Sequence, residues 1–66
     1  MLKEFTRPEG TKIAVDIDRI AEVIDMAPEA GTEILVDRIS YYLHLRIAEN
    51  FSEVVEVLKD AKLWIE

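Results

Sequence analysis

The sequence predicts a small α+β domain: an antiparallel β-sheet of four to five short strands, then one C-terminal amphipathic helix packed on one face. Residues 1–47 fall into short alternating or β-branched runs separated by Gly and Pro turn signals. Residues 50–65 instead repeat apolar side chains at helical spacing. Strands that precede a single helix are typical of an α+β arrangement. With 66 residues, the chain has room for one domain, residues 1–66.

The predicted helix covers residues 50–65 and begins with a capping signal. Asn50 can accept a hydrogen bond from a free amide of the first turn, and Glu53 can reach back to the amide of Asn50. One stripe of the helix is apolar: Phe51, Val54, Val55, Leu58, Ala61 and Ile65. Because so short a helix is marginal in water by itself, we expect this stripe to pack on the sheet.

Val57 and Trp64 lie to one side of the main apolar stripe and form a second apolar ridge. They either cover the rim of the sheet or contact a second copy or another protein. Tryptophan is enriched among the residues that anchor protein interfaces, which favours including both residues among the candidate interaction residues.

Four strands follow from the alternation of side chains. Residues 1–8 are β-compatible, residues 8–10 signal a turn, and residues 11–16 alternate, which together predict a hairpin. Residues 28–31 signal a second turn. Residues 32–36 and 41–47 form two further strands, and residues 37–40 reverse the chain between them.

Residues 16–27 fit two patterns. Ile17, Ile20 and Ile24 match a helical template that Asp16 or Asp18 could cap. The same residues also fit a turn at positions 16–19 and a strand at positions 20–26, with Ile20 and Ile24 facing inward. That strand would place Glu22 on its inner face, which counts against it.

The strand at residues 41–47 has one apolar face and one polar face. Tyr42, His44 and Arg46 occupy the polar face, away from the helix. A mixed, solvated surface is one interpretation. An interface is the other, because tyrosine and arginine are favoured at interfaces and a single-layer sheet leaves a face open.

Composition excludes several classes of site. No cysteine is present, so disulfides, cysteine nucleophiles and cysteine-based zinc sites are absent. His44 with Ser40 or Ser52 lacks an oxyanion context, and both glycines fall in turns rather than in a phosphate-binding loop. Asp16 and Asp18 are interpreted as solvated turn carboxylates. We therefore expect no enzyme activity and no catalytic, cofactor-binding or metal-binding residue.

Charge and hydropathy bear on partners and location. The formal net charge of −6 disfavours binding to nucleic acid, whose phosphates need clustered Lys and Arg. Neither an apolar leader nor a run of about 20 apolar residues is present, so we expect a cytoplasmic protein without a membrane span. Half of the residues are hydrophobic in a chain of marginal size, which favours a homo-oligomer.

The order of short motifs resembles the FlbD-type family of small flagellar and swarming-motility proteins, and similar short bacterial and phage proteins. The motifs are Leu2-Lys3, Phe5-Thr6-Arg7, Gly10, the turn at positions 16–20, Ile24-Asp25, Thr32-Glu33-Ile34 and Glu49-Asn50-Phe51-Ser52-Glu53-Val54-Val55. The resemblance implies a β-rich fold with a helix, and so favours the strand for residues 16–27. It also implies a non-enzymatic accessory protein, associated in some bacteria with the flagellar motor.

Two functional hypotheses follow. The first is a small, self-associating interaction protein that uses Tyr42, His44, Arg46, Val57 and Trp64. The second is an acidic inhibitor or nucleic-acid mimic that binds a basic site on a larger protein through Asp16, Asp18, Glu49, Glu53, Glu56, Asp60 and Glu66. Salt separates them, because a charge-driven complex weakens steeply as salt rises and an apolar interface does not.

Overall fold

The structure, a computed structural model, describes residues 1–26 and 30–65. Its elements, in chain order, are β1 (Leu2–Thr6), β2 (Lys12–Asp16), a 3₁₀ helix (Ile17–Arg19), β3 (Ile20–Asp25), β4 (Thr32–Asp37), β5 (Tyr42–Ile47) and α1 (Phe51–Asp60). The predicted α+β class, with five short antiparallel strands and one C-terminal helix, is confirmed.

The strands form two sheets rather than one. β1 and β2 make a hairpin in which Leu2 lies opposite Asp16, and β3, β4 and β5 make a three-stranded meander with β4 in the centre. The two sheets meet at one end, where the Ala48 amide donates to the Thr6 carbonyl at 2.7 Å. The Thr6 amide donates in turn to the Glu49 carboxylate at 2.9 Å. Glu49 therefore ties β1 to the segment between β5 and α1.

The core lies between the hairpin, the inner face of the meander and the helix. Its buried apolar side chains come from every layer: Phe5, Val15, Ile17, Ile34, Val36, Ile47, Val54 and Leu58. Thr32 is also buried, and its hydroxyl donates to the Glu49 carbonyl at 2.7 Å, so this polar group is satisfied inside the core. The helix contributes Val54 and Leu58, while Phe51 is half-buried.

The helix starts as predicted and ends earlier than predicted. Asn50 and Glu53 form both hydrogen bonds of the capping box. At the other end, the Leu63 amide donates to the Leu58 carbonyl and the Lys62 amide to the Lys59 carbonyl. These bonds are those of a Schellman motif, with Lys62 at a φ of 61° in the position that glycine usually occupies.

This stop replaces the predicted range of residues 50–65 with Phe51–Asp60. Because the chain turns away after the helix, the prediction that Ile65 packs inward is wrong, and its side chain is 95% exposed. The sequence does not indicate this end of the helix, because Lys62 occupies the position where a glycine usually marks it.

Residues 16–25 adopt the second of the two predicted patterns. The Asp16 carboxylate caps the 3₁₀ helix by accepting from the Asp18 amide, and β3 follows directly. A bulge between Ile20 and Glu22 shifts the register. As a result Glu22 pairs with Leu35 and Ile24 with Glu33, both outside the core. The prediction that Ile24 faces inward is therefore wrong, and the objection that Glu22 would be buried disappears.

The loops carry the turns that the sequence indicates. In the first hairpin, the Gly10 amide donates to the Arg7 carbonyl and Gly10 has a φ of 100°. Of the predicted turn at residues 28–31, positions 28 and 29 lie outside the described residues; Gly31 has a φ of 76°.

The reversal between β4 and β5 is unusual because a β-branched residue occupies its tip. The Ser40 amide donates to the Arg38 carbonyl around Ile39, whose φ is 76°. This is the rare and strained form of γ-turn. Two further bonds brace it, from the Ile39 amide to the Asp37 carboxylate and from the Arg38 amide to the Tyr41 carbonyl.

Candidate functional site

The meander presents one open face, which we call the outer face. Side chains alternate along each strand, so the residues opposite the core share this surface. They are Glu22 and Ile24 from β3, Glu33, Leu35 and Asp37 from β4, and Tyr42, His44 and Arg46 from β5. In the described part of the chain, the helix and the β1–β2 hairpin contribute their buried side chains to the opposite side of the sheet.

The predicted trio of Tyr42, His44 and Arg46 lies together on this surface. All three are exposed, with Tyr42 at 56% and His44 at 65%. β4 adds a neighbour to each: Asp37 lies opposite Tyr42, Leu35 opposite His44 and Glu33 opposite Arg46. The outer face is therefore wider than the alternation of one strand indicated.

An apolar stripe crosses the outer face diagonally. Ile24 pairs with Glu33, two residues from Leu35, and Leu35 pairs with His44, two residues from Tyr42. Diagonal neighbours across strands are within reach of long and aromatic side chains. Ile24, Leu35 and Tyr42 thus form a continuous band, in which Ile24 and Tyr42 are exposed and Leu35 is half-buried.

Charge on the outer face is divided by strand. The acidic residues Glu22, Glu33 and Asp37 lie on β3 and β4, and the basic residues lie on β5. His44 Nδ1 lies 2.8 Å from the Glu33 carboxylate. A pair this exposed contributes little to stability, so its main effect is to orient the imidazole over the sheet.

Val57 and Trp64 occupy different places. Both are half-buried and pack against the core. The Trp64 ring meets the Phe51 ring edge-on, with centroids 6.3 Å apart, and lines a depression with Ile20 and Leu63. Val57 lines another depression with Met1, so the structure does not bring the two into one cavity.

Asp16 and Asp18 surround an ammonium group. The Met1 amine donates to the Asp16 carboxylate at 3.1 Å and to the Asp18 carboxylate. Its hydrogen bonds to Asp18 and then Asp16 raise the pKa of the amine above 8.0. The bond from the same amine lowers the pKa of the Asp16 carboxyl below 3.8. These carboxylates are therefore engaged within the chain rather than simply solvated.

The described residues hold no assembly of three or more His, Asp or Glu side chains able to bind a metal ion. No helix among them is long and apolar enough to cross a membrane. Every buried side-chain polar atom described has a hydrogen-bond partner. A buried polar group without a partner, which often marks a reactive site, is thus not found in residues 1–26 and 30–65.

Sequence reasoning placed two members of the outer face, Ile24 and Glu22, on the inner side of their strand. The signal was present, since a glutamate on the inner side of a strand is expensive to bury. A bulge between Ile20 and Glu22 resolves that conflict.

Known proteins supply no further guide to this site, because no protein-family model, curated protein or solved structure matches the chain. The resemblance to the FlbD-type family therefore stays a prediction.

Proposed function

We propose that the protein is a small, cytoplasmic, non-enzymatic interaction protein that self-associates through the outer face. The observation that carries this proposal is the continuous band of Ile24, Leu35 and Tyr42 on an open sheet face. An apolar centre with a charged rim is the usual anatomy of a protein interface. A domain of this size also gains burial that its own core cannot supply.

The division of charge suits pairing with a second copy. A two-fold arrangement that lays β5 of one copy over β3 of the other places Leu35 near the centre. It also brings Glu22 of each copy toward His44 and Arg46 of the other. Opposite charges meet at these outer-strand pairs, which offsets part of the repulsion between two chains of net charge −6. Glu33 and Asp37 of the central strand face their own copies in the same arrangement.

The acidic-mimic hypothesis has less support. Of the seven carboxylates it would use, Asp16 and Asp18 bind the Met1 amine, Glu49 accepts from the Thr6 amide and Glu53 caps the helix. Glu66 lies outside the described residues. Glu56 and Asp60 are left on the helix surface, which is a short row with which to imitate a phosphate backbone.

Solution mass by light scattering, at low and high salt, tests the proposal. We expect a dimer or larger assembly at both salts, because the centre of the interface is apolar. Tyr42→Ala and Arg46→Gln should each lower the apparent mass at a given concentration. Arg7→Gln is the matched control, since it removes an exposed arginine from the first hairpin loop. Trp64→Ala is less informative, because Trp64 also packs on Phe51.

A monomer at both salts would contradict self-association. That result would move the acidic-mimic hypothesis to the front. Assembly at low salt that disappears at high salt would instead mean that charged residues at the rim, and not the apolar band, hold the copies together.

A further inference from the structure

A second candidate site lies between the two sheets, away from the outer face. The hairpin and the meander are joined at Thr6 and Ala48 and leave a gap toward the opposite end of the hairpin. This gap is a cavity of about 130 Å³. Its apolar walls come from both sheets: Ile13 and Val15 of β2, Val36 of β4, and Leu43 and Leu45 of β5. Asp16, at the end of β2, lines it as well.

Two arginines line the same cavity. Arg19 is the last residue of the 3₁₀ helix, and Arg38 lies in the strained turn after β4. Both side chains are exposed. Arg19 has a carboxylate nearby, with its Nε 3.9 Å from Asp16. The Arg38 side chain makes no hydrogen bond or ion pair with any other described residue. The planar guanidinium of Arg38 is therefore available to bind a carboxylate with two parallel hydrogen bonds.

The turn that carries Arg38 supports a binding role. A β-branched residue at positive φ is strained, and such strain concentrates at functional sites. Here two backbone hydrogen bonds and one to the Asp37 carboxylate hold Arg38 and Ile39 in place, while the Ile39 side chain is 85% exposed and adds nothing to the core. The strain therefore has no compensation in packing, but it does fix where Arg38 enters the cavity lining.

The volume decides what can enter. Pockets for cofactors and metabolites are about 300–1,000 Å³, well above this cavity. Apolar cavities of about 150 Å³ admit a six-carbon ring, so this one has room for a single aliphatic side chain. Because the arginines line so small a space, the ligand must carry its negative charge close to its apolar group. The C-terminal residue of a peptide has both groups on one Cα.

We propose that this cavity binds the carboxyl terminus of a partner peptide that ends in an aliphatic residue. The aliphatic side chain enters between β2 and β5, and the terminal carboxylate accepts hydrogen bonds from Arg38 and Arg19. The rest of the peptide lies outside, over the exposed Leu2 at the rim. The chain has only 8 Lys and Arg against 14 Asp and Glu. At this cavity two arginines stand against the single carboxylate of Asp16, which already binds the Met1 amine, so the lining complements an anionic ligand.

The test is a titration of the ¹⁵N-labelled protein, followed by NMR, with the peptide acetyl-Ala-Ala-Ala-Leu. We expect progressive shifts of the Ala14, Leu43 and Leu45 amides. The C-terminal amide of the same peptide and a peptide ending in glycine should each bind at least tenfold more weakly. If the amide or the glycine peptide binds as tightly as acetyl-Ala-Ala-Ala-Leu, the proposal is overturned. The absence of amide shifts with acetyl-Ala-Ala-Ala-Leu would overturn it as well.

Two variants locate the site. Arg38→Gln should weaken binding at least tenfold, whereas Arg46→Gln removes the same charge from the outer face and should leave the titration unchanged. Ala14→Leu places a larger side chain at the cavity lining and should abolish binding. If Arg38→Gln binds as tightly as the original chain, the proposed carboxylate contact is overturned.

A small acid, 4-methylpentanoate, distinguishes a peptide from a free metabolite. Binding as tight as that of the peptide would overturn the assignment to a peptide terminus. Light scattering on the same variants separates this site from self-association, because Arg46→Gln should change only the mass and Arg38→Gln only the titration.

Discussion

Two glycines with similar backbone angles have very different surroundings. Gly10 and Gly31 both have positive φ, at 100° and 76°. A Cβ on Gly10 would meet nothing within 4 Å, whereas a Cβ on Gly31 would collide with the Ile47 carbonyl oxygen. Position 31 therefore needs glycine for two reasons, its positive φ and the close approach of the β5 backbone.

We expect Gly10→Ala to cost about 1–2 kcal/mol of unfolding free energy, the cost of the left-handed conformation alone. Gly31→Ala should cost roughly 2–5 kcal/mol, because the clash adds about 1–3 kcal/mol of strain or displacement. Thermal unfolding of the two variants measures the difference, at about 4–8 °C per kcal/mol for a domain this small. Equal losses would mean that β5 yields to the extra methyl group without cost.

At the scale of elements, the end of α1 carries a local conflict. Lys62 takes the C′ position of the Schellman motif, and its φ of 61° is one that a side chain disfavours. The hydrogen bonds from Lys62 and Leu63 nevertheless form. Packing of Leu63 beside Leu58 and Trp64 accompanies this stop.

We therefore expect Lys62→Gly to stabilise the protein by about 0.5–1 kcal/mol, the relief of strain less the greater chain entropy of glycine. Lys62→Ala is the matched control, because it removes the same amine and side chain while the strain remains. Chemical denaturation of both variants gives the comparison. A gain with alanine equal to that with glycine would show that the lysine side chain, and not the backbone angle, is unfavourable.

The same elements show how far the sequence predicts the fold. The capping box of Asn50 and Glu53 was predictable because its partners are three residues apart. The bulge in β3 was not, because it depends on the register with β4. Tyr42, His44 and Arg46 share a face by alternation alone. Ile24 joins them only after that register shift, so one of the three residues of the apolar band escaped prediction.

At the scale of the molecule, the cavity between the sheets could not be predicted from any one segment. Its lining combines residues of both sheets with the 3₁₀ helix and the turn between β4 and β5, so it forms only when the hairpin lies against the meander. The outer face and this cavity lie on different sides of the meander. A self-associated form can therefore still accept a peptide, which makes the two proposed sites independent.

The last prediction concerns pH. The Met1 amine and the Asp16 carboxylate hold the start of β1 against the end of β2. The amine lowers the pKa of Asp16, and Asp16 helps to raise the pKa of the amine. The pKa of Asp16 is lowered on folding, so its contribution to stability is present above about pH 4 and is lost as pH falls through the folded value. The pKa of the amine is raised, so its contribution is present below about pH 8 and is lost as pH rises through the folded value.

For a chain whose amino terminus is a free Met1 amine, the Asp16→Asn variant should show both the acid and the alkaline limit of this contribution to stability. Asparagine can still accept from the Asp18 amide, so the cap of the 3₁₀ helix persists while the charge is lost. Urea midpoints should therefore differ most between the two proteins from about pH 4 to pH 8 and converge on either side. Acetylation of the amine should narrow the gap across that whole window. A gap that stays constant from acid to alkaline pH would mean that Asp16 stabilises the fold through its hydrogen bonds alone, with no contribution from its charge.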